Sequence, residues 1–124
     1  MLYFDRVSKE YANGNKVLDD ISLTINKGEL VSIVGHSGAG KTTLVKLLLA
    51  EEHPTEGSVS FNSDNISELK GNDMTNYRRK VGVVFQDFRL IPNKTAYENI
   101  AFAMEAAGKH DDDISEDVPH VMDL

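Results

Sequence analysis

The chain has 124 residues and no cysteine, so it is long enough for one modest domain with a core and cannot form disulfides or thiolate metal sites. Its net charge of −7 comes mostly from residues 110–124, which hold six acidic residues and no lysine or arginine. The rest of the chain is nearly neutral, so the chain lacks the basic surface of a nucleic-acid-binding protein. No apolar run reaches the roughly 18–20 residues of a spanning helix, and the N-terminus lacks a signal-peptide pattern, so we expect a soluble, intracellular chain.

Three segments alternate apolar and polar side chains, as strands with one buried face do. Residues 2–7 and 17–25 predict the first two strands, and Asn-Gly-Asn at 13–15 is a hairpin-type turn signal between them. Residues 57–63 predict a third strand, and the stretch 62–70 is expected to be a loop. Together these segments favour an antiparallel sheet.

Two other segments are apolar almost without interruption. Residues 29–34 and 81–86 have the composition of strands that are buried on both faces of a sheet. The first is followed by a glycine-rich stretch and then by residues 42–50, whose apolar side chains recur at helical spacing. This strand, loop and helix order predicts a parallel α/β core.

The second half of the chain carries helix signals. Asp73 can cap a short helix that runs to Lys80. Thr95 can cap a longer helix that Gly108 ends, with Glu98 three residues on as the partner in a capping box. The stretch from residue 111 is a candidate for one more helix.

The glycine-rich stretch at 35–43 reads GHSGAGKTT and matches the phosphate-binding pattern G-x-x-x-x-G-K-[ST]. Backbone N–H groups can surround a triphosphate only where no Cβ blocks the approach, and the start of the next helix adds donors and a positive dipole end. Lys41 would supply a charge to the β and γ phosphates, and the Thr42 hydroxyl suits Mg²⁺. The predicted binding residues of the loop are Gly35, His36, Ser37, Gly38, Ala39, Gly40, Lys41, Thr42 and Thr43.

Two residues outside the loop are weaker candidates. An aromatic ring at Tyr11 could stack on adenine, although a half-buried tyrosine at a strand end is the more common interpretation of the residue type alone. Gln86 ends an apolar segment, where ligands of open α/β sheets collect, and its amide oxygen could reach Mg²⁺ or orient water. A surface or capping glutamine is the alternative.

Taken together, these residues resemble the nucleotide-binding domain of the ABC transporters. The resemblance covers the whole chain through four stretches in order: SKEY (8–11), GHSGAGKTT (35–43), HPTEGSV (53–59) and VGVVFQDFRLIPNKTAYENIAF (81–102). It implies an α/β fold of the P-loop NTPase (ABC ATPase) type, of which residues 1–124 would be the N-terminal portion. The implied parts are an antiparallel β subdomain at 1–28 and 57–63, an incomplete RecA-like core at 29–50 and 81–86, and the start of a helical subdomain at 87–124.

The resemblance also implies roles for single residues and two cofactors, ATP and Mg²⁺. Tyr11 falls where the family stacks an aromatic ring on adenine, and Val17 where a side chain packs beside that ring. Gln86 falls on the Q-loop glutamine, which senses Mg²⁺ and the γ-phosphate. The catalytic candidates are therefore Lys41 and Gln86, and the metal candidates are Thr42 and Gln86.

A membrane partner follows from the same resemblance. Residues 88–102 fall in the region that faces the coupling element of the transmembrane subunit, so we expect an integral membrane partner to dock on 87–104 at the cytoplasmic face of the cell membrane. Domains of the family dimerise. Within the family, the GHSGAGK loop and the stretch from VFQDFRL to YENIAFA are most similar to ATPases of bacterial cell division.

Hydrolysis in the family also requires an LSGGQ-type signature, a strand ending in Asp-Glu and a late switch histidine, none of which occurs in these 124 residues. We therefore expect an ATP-binding portion that is inactive alone, although its parent family hydrolyses ATP. The alternatives are the ATP-binding subunit of another ABC system, either an amino-acid importer or a lipoprotein exporter, and a non-catalytic nucleotide-binding or docking module. A nucleoside kinase would not normally place two antiparallel-type strands before the loop.

Overall fold

The computed structural model describes residues 1–124, and its backbone contacts divide the chain into two units, Met1–Thr75 and Asn76–Leu124. All strands and the first helix lie in the first unit. The helix Gly71–Arg78 begins in the first unit and ends in the second.

The first unit is built on a four-stranded antiparallel sheet with the order β2-β1-β3-β4. Its strands are β1 (Leu2–Glu10), β2 (Lys16–Ile25), β3 (Glu56–Phe61) and β4 (Asp64–Asn65). The register of β1 shifts on both sides near Arg6, whose φ of 47° marks a bulge. The three strands predicted from alternation are therefore confirmed, and the turn predicted at 13–15 is present, with Gly14 at φ 78°.

The predicted loop at 62–70 is wrong in part. Asn62 and Ser63 have φ values of 49° and 78°, so they form a tight turn that pairs β3 with the short strand β4. The Asn65 side chain then accepts a hydrogen bond from the Ser67 N–H at 3.0 Å and begins a 3₁₀ turn, Ile66–Glu68. An Asn-Ser pair is a weaker turn signal than Asn-Gly, which explains why the pattern did not predict this hairpin.

The two predicted core strands, at 29–34 and 81–86, are not strands in the structure. Neither segment belongs to a sheet, and several of their apolar side chains are exposed, including Leu30 and Val84 at 100% and 90%. A strand requires ladder hydrogen bonds from a neighbouring strand, whatever its own composition. Hydrophobic composition alone was therefore insufficient to predict these elements.

The helices follow the sequence signals more closely. Helix α1 (Lys41–Leu48) confirms the prediction at 42–50. Helix α2 is Gly71–Arg78 and begins two residues before the predicted cap, so Asp73 lies in its first turn instead of capping it. Gly71, at φ 53°, allows the chain to enter the helix earlier.

Helices α3 (Ala96–Ala106) and α4 (Asp111–Met122) form the second unit's core, where Ala101 packs with Ile114 and Val118. The predicted capping box of α3 is present, since the Glu98 N–H donates to Thr95 Oγ1 at 3.2 Å and Glu98 Oε2 accepts from the Thr95 N–H at 2.7 Å.

Gly108 ends α3 as predicted. Its φ is 88°, and its N–H donates to the Glu105 carbonyl at 2.9 Å while the Lys109 N–H donates to the Met104 carbonyl at 3.0 Å. These two bonds make a Schellman motif. No helix of the chain is long and apolar enough to span a bilayer.

Candidate nucleotide-binding site

The glycine-rich loop leads into α1 through two glycines in the left-handed backbone region. Gly38 and Gly40 have φ values of 81° and 85°, a conformation that costs other residues roughly 1–2 kcal/mol. Gly40 is the N-cap of α1 and offers no side chain to the helix, so the N–H groups of the first turn have no side-chain cap. The sequence therefore leaves backbone donors at the helix start for an outside acceptor.

Gly40 also lies very close to strand β2. A Cβ on Gly40 would lie 2.7 Å from Leu18 Cδ2, shorter than real Cβ contacts, and 3.0 Å from the Val17 carbonyl oxygen, tighter than nine in ten of them. Only glycine therefore lets the loop approach the strand this closely. This approach places Val17, predicted to lie beside an adenine ring, next to the phosphate-binding motif.

Lys41 closes the loop on itself. Its ammonium Nζ donates to the carbonyl oxygens of Gly35 and His36, both at 2.7 Å. The Ala39 N–H donates to the same His36 carbonyl at 3.2 Å, and the His36 ring contacts the Ser37 carbonyl through Nδ1 at 2.7 Å. The cation is thus held at the mouth of the loop by carbonyl oxygens, which an anionic ligand can replace.

An open cleft of about 270 Å³ lies beside the loop. Its lining brings together six of the predicted site residues and adds Asn15, and it contains no carboxylate: Asn15, Val17, Gly38, Gly40, Lys41, Thr42 and Thr43. Sequence reasoning missed Asn15 because its turn signal explained it completely. The other loop residues, Gly35, His36, Ser37 and Ala39, lie outside the lining.

Tyr11 directly follows β1 and does not line this cleft. Its hydroxyl donates to Glu52 Oε1 at 3.2 Å and lies 3.4 Å from Thr43 Oγ1. Lys9 Nζ lies over its ring, 5.3 Å from the centroid, within the range of a cation–π contact. The hydroxyl of the half-buried Tyr11 therefore contacts α1 at Thr43. Stacking of the Tyr11 ring on adenine stays a prediction.

Glu52 is the centre of a polar group that sequence reasoning missed. Its Oε1 accepts hydrogen bonds from Lys46 Nζ at 2.9 Å and from the Tyr11 hydroxyl, while the buried Oε2 lies 3.4 Å from Lys9 Nζ. The hydrogen bond from Lys46 is the main cause that lowers the pKa of Glu52, against the opposing effect of its burial. We call Lys9, Tyr11, Thr43, Lys46 and Glu52 the Glu52 cluster. Its members come from two distant parts of the sequence, residues 9–11 and 43–52, and no local pattern connects them.

Gln86 belongs to the second unit and is exposed in a turn. The Phe88 N–H donates to the Phe85 carbonyl at 3.1 Å across this turn, and the Arg89 guanidinium lies 3.6 Å from the Phe85 ring centroid. The expected position at the end of a buried strand is therefore wrong. The role of Gln86 at a metal or at a γ-phosphate stays a prediction.

The left-handed glycines, the lysine at the loop mouth and the uncapped helix start define the class of phosphate-loop nucleotide-binding proteins with an α/β fold. A family model described as ABC transporter matches residues 18–123, and the chain belongs to this family. The resemblance found in the sequence is therefore confirmed.

Individual relatives agree with this family. The chain is 45% identical over all of its 124 residues to the cell division ATP-binding protein FtsE of Bacillus subtilis (strain 168). It is 44% identical, over 99% of its length, to FtsE of Mycobacterium tuberculosis (strain ATCC 25618 / H37Rv). The chain spans 54% of each of these proteins, which is about half of their length.

A solved structure is similar to the chain as well. It is the dimeric post-hydrolysis state of the ATP-binding cassette MJ0796 bound to ADP and Pi, with a TM-score of 0.85 and 32% sequence identity. The match covers 97% of this chain and 55% of that one. The fold class predicted from the sequence, a partial α/β P-loop NTPase of the ABC type, is thereby confirmed.

Proposed function

We propose that the chain is the ATP-binding portion of an FtsE-like ABC ATPase of bacterial cell division. One observation carries this proposal. The loop that holds Lys41 is seated against β2, so that one cleft combines a cation, backbone donors and the apolar side chain of Val17 without any carboxylate. Such a site suits a ligand with a polyphosphate at one end and an apolar ring at the other.

In this proposal the phosphates bind along residues 35–43. The N–H groups at the start of α1 donate to phosphate oxygens, and Lys41 exchanges its two carbonyl partners for β and γ phosphate oxygens. The base lies toward β2, with Val17 beside it and the ring of Tyr11 stacked on it. Thr42 is exposed and lines the cleft, so its hydroxyl would be the protein oxygen that holds a Mg²⁺ ion, which would offset the negative charge of the phosphates.

We propose that Gln86 supplies a second oxygen to that ion. No group of three or more His, Asp or Glu side chains in the chain could hold a metal, so the cation in this proposal depends on oxygens of the nucleotide. Mg²⁺ commonly binds in this way, with few protein ligands and several phosphate or water oxygens.

The proposed partner is an FtsX-like integral membrane protein that docks on residues 87–104. This stretch exposes four large apolar or aromatic side chains, at 73%, 67%, 40% and 52% of their area: Phe88, Leu90, Tyr97 and Phe102. Exposed apolar surface of this kind is typical of interaction sites. The partner would keep the protein at the cytoplasmic face of the membrane. Dimerisation through the nucleotide is proposed because the solved relative is a dimer.

The proposal is tested by titrating the full chain with Mg²⁺ and ATP in a calorimeter. Replacing Lys41 with alanine removes hydrogen bonds to a charged group, each worth about 1.5–3 kcal/mol, so the affinity is expected to fall by at least about tenfold. Lys70→Ala, which removes an exposed lysine outside the loop, is the control and should leave the affinity unchanged. Equal affinities of wild type and Lys41→Ala would refute the assignment.

We further propose that residues 1–124 do not hydrolyse ATP by themselves, because the sequence lacks the family's signature and its Asp-Glu strand end. A phosphate-release assay should give the background rate. Release that is above background and is lost in Lys41→Ala would contradict this statement without contradicting ATP binding.

A further inference from the structure

We propose that Glu52 is a positioning residue for nucleotide binding, whose carboxylate holds the base-stacking ring of Tyr11 in a fixed place relative to the phosphate-binding helix α1. The proposal rests on the proposed function, because it assumes that an adenine nucleotide occupies the cleft beside the loop. In this proposal Glu52 connects the base-binding end of the site, at Tyr11, with the phosphate-binding end, at the start of α1.

The backbone of Glu52 is attached to the end of α1. The chain turns back after the helix, and the N–H groups of Glu51 and Glu52 both donate to the Lys46 carbonyl, at 2.9 Å and 3.4 Å. Ala50 has a φ of 52° in this turn. The position of the carboxylate is therefore set by the helix that begins at the phosphate loop.

The side chain of Glu52 reaches across to β1. One oxygen is shared by Lys46 of α1 and Tyr11, which directly follows β1, and the other faces Lys9 of β1 at 3.4 Å. Lys9 in turn donates to the His53 carbonyl at 2.8 Å. Because the Glu52 side chain is only 19% exposed, these contacts are screened less than surface ion pairs are.

The arrangement fixes the ring as well as the hydroxyl of Tyr11. Lys9 lies over the ring while its ammonium faces Glu52, so one carboxylate orients both the hydroxyl and the cation on the ring. The hydroxyl also lies 3.4 Å from Thr43 Oγ1, which lines the cleft. Without the carboxylate, the two ammonium groups of Lys9 and Lys46 would lose their shared counter-ion and the tyrosine hydroxyl would lose its acceptor.

The charged form of Glu52 is the one that performs this task. Its pKa is lowered chiefly by the hydrogen bond from Lys46, with further contributions from Tyr11 and Lys9. At neutral pH the cluster therefore contains one carboxylate between two ammonium groups. The Tyr11 ring keeps its position only while this charge balance holds.

The test separates the base from the phosphates by using two ligands, ATP and inorganic tripolyphosphate, each with Mg²⁺, in titrations of the full chain. Stacking on an aromatic ring is worth about 5- to 150-fold in affinity, and loss of the ring's orientation should remove part of it. We expect Glu52→Ala to weaken ATP binding by about three- to tenfold while tripolyphosphate affinity stays within about twofold of wild type. Glu116→Ala, at an exposed glutamate outside the Glu52 cluster, is the control and should change neither affinity.

A second variant keeps the proposal falsifiable if Glu52→Ala folds poorly. Tyr11→Phe keeps the ring and removes the hydroxyl that Glu52 binds, so it should reproduce the selective loss of ATP affinity. In a Tyr11→Leu background, which lacks the ring, Glu52→Ala should have no further effect on ATP affinity. Additive losses in that double variant, or equal losses for ATP and tripolyphosphate, would show a general structural role and overturn the proposal.

The two proposals fail in different ways. If wild type binds neither ligand, or if Lys41→Ala binds ATP as wild type does, the proposed function fails and the inference fails with it. If ATP binding depends on Lys41 and on the Tyr11 ring but Glu52→Ala has no effect on it, the function stands and the inference alone is wrong.

Discussion

Replacing Gly40 with alanine tests whether the loop is seated on β2 as the structure describes. The substitution adds one methyl group at a residue with φ 85°, in a place where that methyl carbon would lie 2.7 Å from Leu18 Cδ2 and 3.0 Å from the Val17 carbonyl. Leu18 is 3% exposed and has little room to move, and the carbonyl belongs to the backbone of a paired strand.

Two costs contribute to the expected loss of stability. The left-handed conformation costs alanine about 1–2 kcal/mol, and overpacking a buried contact costs typically 1–3 kcal/mol more. The free energy of unfolding should therefore fall by about 2–5 kcal/mol. Gly14→Ala is a matched control, because Gly14 has a φ of 78° and no atom would lie within 4 Å of its Cβ. It should lose only the conformational part, about 1–2 kcal/mol.

Urea denaturation followed by far-ultraviolet circular dichroism measures both variants on the same scale. The informative quantity is the difference between them, expected at about 1–3 kcal/mol, because it isolates the contact with β2 from the backbone strain. If Gly40→Ala loses no more stability than Gly14→Ala, the loop is not packed against β2 and the cleft beside Val17 is not formed as described.

Three further predictions concern stability and use the same denaturation measurement. Thr95→Ala removes the N-cap of α3 and should cost about 0.5–2 kcal/mol; a loss below about 0.2 kcal/mol would show that the capping box does not support the helix. Ile114→Ala, in the core between α3 and α4, should lower the free energy of unfolding by about 2–5 kcal/mol. Val121→Ala, at an exposed site of α4, is the control and should lower it by less than about 0.5 kcal/mol. Similar losses for the two variants would disprove the packing of Ile114. The pKa of Glu52 lies below its ordinary value of 4.5, so its carboxylate stabilises the fold above about pH 4.5 and loses that effect as the pH falls through the lowered pKa. The difference in unfolding free energy between wild type and Glu52→Gln should therefore shrink from pH 7 to pH 3. A difference that stays constant would contradict the ion pairs.

Sequence patterns correctly predicted the elements that are stabilised by interactions between residues close together in the chain. The capping box at Thr95, the Schellman glycine at 108 and the Asn-Gly-Asn turn each involve residues within a few positions of one another, and each is present in the structure. The phosphate loop belongs to the same class, because its conformation depends on glycines inside the motif. These parts could be derived from the sequence because the interacting groups are neighbours along the chain.

The remaining features depend on groups that are distant along the chain. The apolar segments at 29–34 and 81–86 have strand composition, yet a strand also needs a partner, and neither segment has one in the sheet of the structure. The Glu52 cluster joins residues up to 43 positions apart, from Lys9 to Glu52, through contacts that no periodicity encodes. Asn15 likewise lines the cleft only because the loop lies against β2, a contact that the sequence near Asn15 does not reveal.

The two hydrogen bonds from Lys41 to its own loop make ligand binding a competition. A ligand must displace the Gly35 and His36 carbonyls before it binds the lysine, so the measured affinity is a difference between two sets of hydrogen bonds. A monophosphate or a nucleoside offers too little negative charge to replace the two carbonyl hydrogen bonds of Lys41 with much stronger ones, whereas a polyphosphate offers several charged oxygens at once. At the proposed nucleotide site we therefore expect this exchange to favour polyphosphates over small anions such as inorganic phosphate.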